Sequence, residues 1–168
     1  AGALTDSLQE VQPGILSQED AELVQLGALL HDIGHPPYSH LLETPDVFAT
    51  YHSHEHWGRV MLENTSSEIG QVLDEVLGTG RKKRLFSILD GAKECDGVPI
   101  APFLKEIISS QLDVDRLDYL KRDSFYSGVS EGIINADRII SMLNVSKGNL
   151  VVEAKAIYSI EKFIIAYP

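Results

Sequence analysis

The sequence predicts an all-α protein, in the main, with one small β-hairpin near residues 144–153. The first indication is that apolar residues recur three and four positions apart through most of the chain, which is the period of an amphipathic helix. The second is the stretch LNVSKGNLVVE, in which two β-branched runs flank the tetrapeptide SKGN at residues 146–149. Two such runs around a short turn sequence are typical of a hairpin.

The helices are predicted from their start and stop signals. Ser17 and Asp20 resemble a capping box, and the helix that follows is apolar nearly all round in its last turns, so we expect it to be central and buried until Gly34 and Pro36 end it. Further helices are predicted at about residues 54–63, 67–77, 81–89, 101–111, 113–124, 136–143 and 154–166. Both termini read as interrupted helices, so we expect residues 1–168 to be a single domain from a longer protein.

Composition excludes some functions. The chain has 168 residues and a net charge of −11, which argues against nonspecific binding to nucleic acid or to an anionic membrane, since both require a positive field. No apolar run is long enough to span a bilayer, and the single cysteine, Cys95, excludes an internal disulfide. We therefore expect a cytoplasmic protein with Cys95 at the surface or in a loop.

The basic run RKKR at 81–84 is either the solvated start of a helix or a patch for a phosphate-bearing effector.

Histidines are concentrated in one short segment. All six lie between positions 31 and 56, in the stretches LLHDIGHPPYSH and YHSHEHW. A lone histidine at the end of a buried helix usually pairs with the unsatisfied carbonyls there. His31 is instead followed at once by Asp32, and further histidines lie nearby, which favours a metal site over a capping role.

A second informative stretch is SSQLDVDRLDYLKRDSFYSGV. On a helix, Asp115, Tyr119 and either Arg122 or Asp123 share one face, while Leu117 and Leu120 point elsewhere into the core. The alternative is a solvated face made of Asp113, Asp115, Asp118, Lys121 and Asp123.

Together the two stretches predict a divalent metal site. His31 and Asp32 supply ligands from one helix end, and Asp115 supplies a carboxylate from a second helix. Imidazole and carboxylate suit Mn, Fe, Mg, Zn, Co or Ni, and the sequence does not choose among them. A site with few protein ligands keeps positions open for water and substrate oxygens, which suits hydrolysis of a phosphate ester or anhydride.

The stretches ALLHDIGHPPYSH, SHEHWGRVML and SSQLDVDRLDYLKRDSFYSGV resemble the HD-domain phosphohydrolases, and more narrowly the bacterial branch similar to the deoxynucleoside triphosphate triphosphohydrolases. The resemblance implies an HD-type helical bundle. It also implies a metal pattern of His, His-Asp and Asp, in which His31 and Asp32 match the central pair and Asp115 the last ligand. The family's first histidine would precede Ala1, so we expect the upstream helix that carries it, and C-terminal portions, to lie outside this sequence.

Further roles are implied by the same resemblance. His35, His40 and His54 match histidines that handle phosphate or transfer protons, and Glu43 and Glu55 match carboxylates that orient them. Arg116, Tyr119 and Asp123 match residues that hold the phosphates and the sugar. His52 and His56 match no such role, so we interpret them as surface residues or residues that support the site.

The function implied by the resemblance is metal-dependent hydrolysis of dNTPs to the deoxynucleoside and inorganic triphosphate. Relatives often form oligomers and respond to nucleotide effectors, so a homo-oligomer and a possible effector are expected. Three alternatives stay open: an HD hydrolase of another nucleotide, a nucleotide-binding module without turnover, and a helical interaction domain whose histidines are structural.

Overall fold

The computed structural model describes residues 1–44, 46, 52–130 and 133–166. Within this part of the chain, eight α-helices and two pairs of short strands alternate with two 3-10 turns. The α-helices are α1 (Gly2–Val11), α2 (Gln18–Leu30), α3 (His54–Glu63), α4 (Glu68–Leu89), α5 (Pro102–Ile108), α6 (Val114–Ser127), α7 (Ala136–Ser141) and α8 (Ile157–Ala166). The strands are β1 (Glu94–Cys95), β2 (Val98–Pro99), β3 (Leu143–Ser146) and β4 (Asn149–Val152), and the 3-10 turns are Ser39–Leu42 and Ala154–Ala156. The predicted fold class is therefore confirmed.

The predicted hairpin is formed by β3 and β4, which pair antiparallel with Ser146 opposite Asn149. A second ribbon, β1–β2, was not predicted. Its turn consists of Asp96 and Gly97, both with positive φ (51° and 77°), which is the conformation that a two-residue Asp-Gly hairpin turn requires. The dipeptide DG in the sequence was the available signal for this ribbon.

Helix α2 begins as predicted, with the Ser17 side chain accepting a hydrogen bond of 3.0 Å from the backbone N–H of Asp20. Only half of the capping box forms, because the Asp20 carboxylate turns away and binds Arg84 through two hydrogen bonds of 2.6 and 2.9 Å. Leu23 and Val24 have no exposed surface, which confirms that α2 is central. It packs against α4 and α5.

Helix α4 runs from Glu68 to Leu89, but its backbone is not helical at Gly78 (φ 65°, ψ 178°), so two helical segments meet there, in agreement with the two predicted helices. Three other helices end earlier or begin later than predicted: α5 stops at Ile108, α7 at Ser141, and α8 starts at Ile157. Helix α7 ends early because the residues after it belong to the predicted hairpin, in which Leu143 already pairs with Val152.

The RKKR run lies inside α4 and is not simply solvated. Each of its cations pairs with a carboxylate: Arg81 with Glu22, Lys82 with Asp74, Lys83 with Asp96, and Arg84 with Asp20. Lys82 is itself buried. These ion pairs connect α4 to α2 and to the β1–β2 turn. Because the four cations are already paired with carboxylates, the run is poorly suited to bind a phosphate-bearing effector.

The main apolar core gathers residues from α1, α2, α4, α5 and the β3–β4 hairpin. Cys95 belongs to this core and is 7% exposed, so the expectation of a surface or loop cysteine is wrong. The reason is the unpredicted β1–β2 ribbon, which folds Cys95 inward beneath α4. A smaller cluster of Leu117, Leu120, Ala136, Ile139 and Phe163 joins α6, α7 and α8.

Within the described residues, no helix combines the length and apolar character needed to cross a bilayer.

Candidate metal centre and histidine cluster

His31 occupies the C-terminal cap of α2, directly after the buried apolar turns. Its Nδ1 lies 2.9 Å from the backbone oxygen of Ala28. A carbonyl oxygen only accepts, so this hydrogen bond places the proton on Nδ1 and leaves the lone pair of Nε2 for a metal ion. The structure thus combines both interpretations of His31, since one ring nitrogen caps the helix while the other points into the site.

The His31 Nε2 atom faces two carboxylates. It lies 3.3 Å from Oδ1 of Asp32 and 3.9 Å from Oδ1 of Asp115, which belongs to the first turn of α6. One ligand atom from each of the three residues lies within 4.8 Å of the other two. Ligands that share one ion at about 2.1 Å are themselves about 3.0–3.4 Å apart. The donor chemistry of the three predicted ligands suits a divalent cation; the His31–Asp32 separation lies in this range, and the His31–Asp115 separation exceeds it by about 0.5 Å.

The electrostatics of this cluster also suit a cation. Partial burial and the neighbouring charge of Asp32 raise the pKa of the Asp115 carboxyl above its ordinary value. Two carboxylates directed at one point repel each other unless a positive charge lies between them.

Glu43 organises a second cluster beside the first. Its Oε1 accepts hydrogen bonds from the backbone N–H of His54 at 2.8 Å and from the Nδ1 of the same residue at 3.0 Å. Its Oε2 lies 3.1 Å from Nδ1 of His40. Desolvation alone would raise the pKa of Glu43, but the hydrogen bonds with His40 and His54 outweigh it and hold the pKa below the ordinary value. An ionised Glu43 fixes the tautomer of His54, so that Nε2 faces away from it.

Three imidazole rings pack together around Glu43. The rings of His35 and His54 stack with centroids 3.9 Å apart, and His40 contacts both edge-on. The four residues His35, His40, Glu43 and His54 also bring one ligand atom each within 4.8 Å of the others.

Asp32 connects the two clusters. Its Oδ1 lies 3.4 Å from Nε2 of His35 and 3.8 Å from Nε2 of His54, in addition to its contact with His31. Glu55 approaches His54 from the other side, with 3.4 Å between Oε1 and Nε2. The histidines predicted for proton transfer therefore lie directly against the predicted metal ligands.

The N-terminus of α6 holds a residue that sequence reasoning missed. Asp113 was considered only within the alternative of a solvated face, but it is 4% exposed and caps α6 by accepting a hydrogen bond of 2.9 Å from the backbone N–H of Arg116. Its other oxygen lies 2.6 Å from the guanidinium of Arg116. Asp113 therefore both starts the helix that carries Asp115 and orients Arg116. The sequence signal for this capping role was an aspartate directly before the helix that carries Asp115, since aspartate is a preferred N-cap residue.

A cavity of about 330 Å³ joins the two clusters. The side chains that line it come from the end of α2, the loop after it, α3, the end of α5 and the first turns of α6, and they are His31, Asp32, His35, His40, His54, Glu55, Ile108, Ser109, Asp113, Asp115, Arg116 and Tyr119. Two of the predicted site residues do not line the cavity. One is Glu43, which contacts the lining residues His40 and His54, and the other is Asp123. Asp123 is exposed, one turn of α6 beyond Tyr119.

His52 and His56 lie apart from this cavity. Their rings stack on each other with centroids 4.1 Å apart, and both contact the edge of Trp57. Both side chains are exposed, in agreement with their interpretation as surface residues.

The HD domain family model matches residues 1–123, the part of the chain that contains both clusters. The chain belongs to the HD domain family, whose members bind divalent metal ions, as the spacing of His31, Asp32 and Asp115 allows here.

Several proteins are similar over most of the chain. The uncharacterized protein YwfO of Bacillus subtilis is 34% identical over 148 residues, covering 88% of this chain and 31% of YwfO. Human deoxynucleoside triphosphate triphosphohydrolase SAMHD1 is 30% identical over 154 residues, covering 77% of this chain and 24% of SAMHD1. The crystal structure of a phosphohydrolase from Bacteroides thetaiotaomicron superposes with a TM-score of 0.77 at 39% identity, covering 98% of this chain and 36% of that one. The chain spans about a third or less of the length of the curated relatives.

Proposed function

We propose that this chain carries the active site of a metal-dependent phosphohydrolase that converts dNTPs to the deoxynucleoside and inorganic triphosphate. The observation that carries the proposal is the position of Asp32, whose Oδ1 lies within 3.3–3.8 Å of His31, His35 and His54. Metal ligands and proton-transfer groups thus meet at one wall of one cavity. A name among its relatives, deoxynucleoside triphosphate triphosphohydrolase, supports the choice of dNTP over other phosphate esters.

His31, Asp32 and Asp115 would hold the divalent ion, which, when bound, supplies Lewis-acid polarisation of the phosphate and lowers the pKa of a coordinated water. Those three ligands come from two helices and the turn after α2, so the site forms only in the folded chain.

The proton transfer is assigned to His54. Its Nδ1 donates to Glu43, and its Nε2 faces the cavity between Asp32 and Glu55. This arrangement makes Nε2 the atom that takes up and returns a proton as water attacks phosphorus and the deoxynucleoside oxygen leaves. Glu43 acts through His54 as a positioning residue, and Glu55 accepts a hydrogen bond from Nε2 when that nitrogen is protonated.

Binding of the triphosphate is assigned to His35, His40, Arg116 and Tyr119. Arg116 is held by Asp113 at the cavity wall, so its planar group is presented to phosphate oxygens at little further cost in entropy. We assign the sugar to Asp123, which lies next along α6. The predicted nucleotide effector and homo-oligomer rest on the resemblance and stay predictions.

A product assay tests this function. The chain is incubated with each dNTP and Mn²⁺, and released deoxynucleoside and triphosphate are separated by ion-exchange chromatography. We expect both products in equal amounts, and a loss of about a hundredfold or more in kcat for His54→Gln. His56→Gln is the matched control, because it removes an exposed histidine of the same helix, outside the cavity. Release of monophosphate or pyrophosphate would indicate another HD hydrolase, and binding without products a binding module; either would overturn the proposal.

A further inference from the structure

The face of α6 that lines the cavity continues beyond it. Asp115 and Tyr119 are four residues apart, and Tyr126 follows seven residues after Tyr119. At 100° per residue, Tyr126 lies at about 20° around the helix axis from Asp115, between Asp115 and Tyr119. The helix therefore presents a carboxylate, a phenol and a second phenol in one row, about 16 Å long.

Tyr126 is 81% exposed, although an aromatic side chain gains most from burial. Its ring contacts that of the adjacent Phe125 edge-on, with centroids 5.2 Å apart. On an α-helix a long side chain leans toward the N-terminus and covers the preceding turn. The ring of Tyr126 therefore leans toward the turn of α6 that contains Asp123, and its high exposure leaves the ring face accessible.

Charge fixes the direction in which a nucleotide lies along this row. Arg116 lies beside Asp115 at one end, whereas Asp123 adds a negative charge near the other. Phosphates would be attracted to the end that holds Arg116 and, when bound, the divalent ion of His31, Asp32 and Asp115, and they would be repelled by Asp123. The uncharged nucleoside end must then extend toward Asp123 and Tyr126.

We propose that Tyr126 is a base-binding residue, whose ring stacks on the base of the bound nucleotide. This inference rests on the proposed function, since it takes a nucleotide as the substrate. An aromatic face binds every base because every base has a π-face, so the contact contributes affinity with little choice among dNTPs.

The test compares Tyr126→Ala with wild type on a dNTP and on deoxyribose 5-triphosphate, which lacks the base. We expect KM for the dNTP to rise about five- to hundredfold, with kcat changed less than about twofold. KM for the baseless substrate should stay as in wild type, and Tyr126→Phe should restore the wild-type values, because it keeps the ring. Tyr158→Ala, which removes an equally exposed tyrosine from α8 (81%), is the matched control and should change neither constant.

Equilibrium dialysis with the same dNTP separates this inference from the proposed function. If wild type binds the dNTP without turning it over, the hydrolase proposal fails, and a five- to hundredfold weaker Kd for Tyr126→Ala still supports base stacking. If Tyr126→Ala binds and turns over dNTPs as wild type does, the inference is wrong while the hydrolase stands. An equal loss on both substrates would also overturn it, since the contact would then not be with the base.

Discussion

The backbone of Gly34 touches the backbone of His54 so closely that a Cβ at position 34 would lie 2.0 Å from the carbonyl oxygen of His54. The same Cβ would lie 2.2 Å from the backbone nitrogen of Gly58. The turn after the His-Asp pair therefore packs directly on the first turn of α3. This contact keeps His54 beside Asp32, and it requires a glycine because no side chain fits between the two backbones.

Gly34→Ala should consequently separate the two clusters. We expect the free energy of unfolding to fall by about 1–3 kcal/mol, as for other overpacked sites, and turnover to fall with it as His54 moves away. Urea unfolding followed by circular dichroism measures the first effect. Gly80→Ala is the control: a Cβ there meets nothing within 4 Å, so the variant should be as stable as wild type or slightly more stable. A Gly34→Ala protein of wild-type stability would contradict the packing described here.

Asp115→Ala should remove the metal from the site. The substitution removes one carboxylate ligand and its negative charge, and it leaves only His31 and Asp32 of the three ligands. We therefore expect the metal content after dialysis to fall to background. Added Mn²⁺ should then no longer raise the melting temperature, as it should in wild type through binding to the native state. Elemental analysis and thermal unfolding provide the two measurements. Asp118→Ala, an exposed aspartate of the same helix paired with Arg122, should keep its metal; equal metal in both variants would refute the ligand assignment.

Glu43 should make the stability of the protein sensitive to acid. The hydrogen bonds with His40 and His54 hold the pKa of Glu43 below its ordinary value of 4.5, despite the opposing effect of desolvation. A carboxyl whose pKa is lower in the folded state stabilises the protein above its unfolded pKa, and this contribution is lost as the pH falls through the folded pKa. Glu43→Gln should therefore be less stable than wild type at pH 7, with a smaller difference at pH 3.5. Urea titrations at the two pH values measure this, and a constant difference would contradict it.

The Arg84–Asp20 pair should contribute more to stability than the surface pairs. Its side chains are 15% and 14% exposed and form two hydrogen bonds between α4 and the start of α2. Arg84→Ala leaves Asp20 partly buried without its cation, so we expect a loss of about 1.5–3 kcal/mol. Arg122→Ala breaks a pair that is 65% and 59% exposed and should cost less than about 1 kcal/mol. Equal losses in denaturant unfolding would show that burial does not distinguish the two pairs.

Much of the fold follows from local signals. Ser17 starts α2, the apolar run up to Leu30 makes it central, and the SKGN turn forms the β3–β4 hairpin, as expected. These features depend on periodicity, capping and turn residues, which act over a few positions and can be read without knowing the neighbours. The same is true of His31, Asp32 and Asp115, because their residue types and helical positions already indicate a metal site.

The sequence by itself determined the fold class, the residues of the candidate metal cluster and the HD family to which they point. The tertiary structure alone decided how the two clusters meet at Asp32, how Glu43 fixes His54, why Asp113 is buried, and why Cys95 lies in the core rather than at the surface. It also decided that the RKKR run forms ion pairs, since its partners Glu22, Asp74, Asp96 and Asp20 are spread over 77 positions of sequence. The physical reason is that burial and charge pairing depend on which segments pack together, and local sequence does not specify that packing.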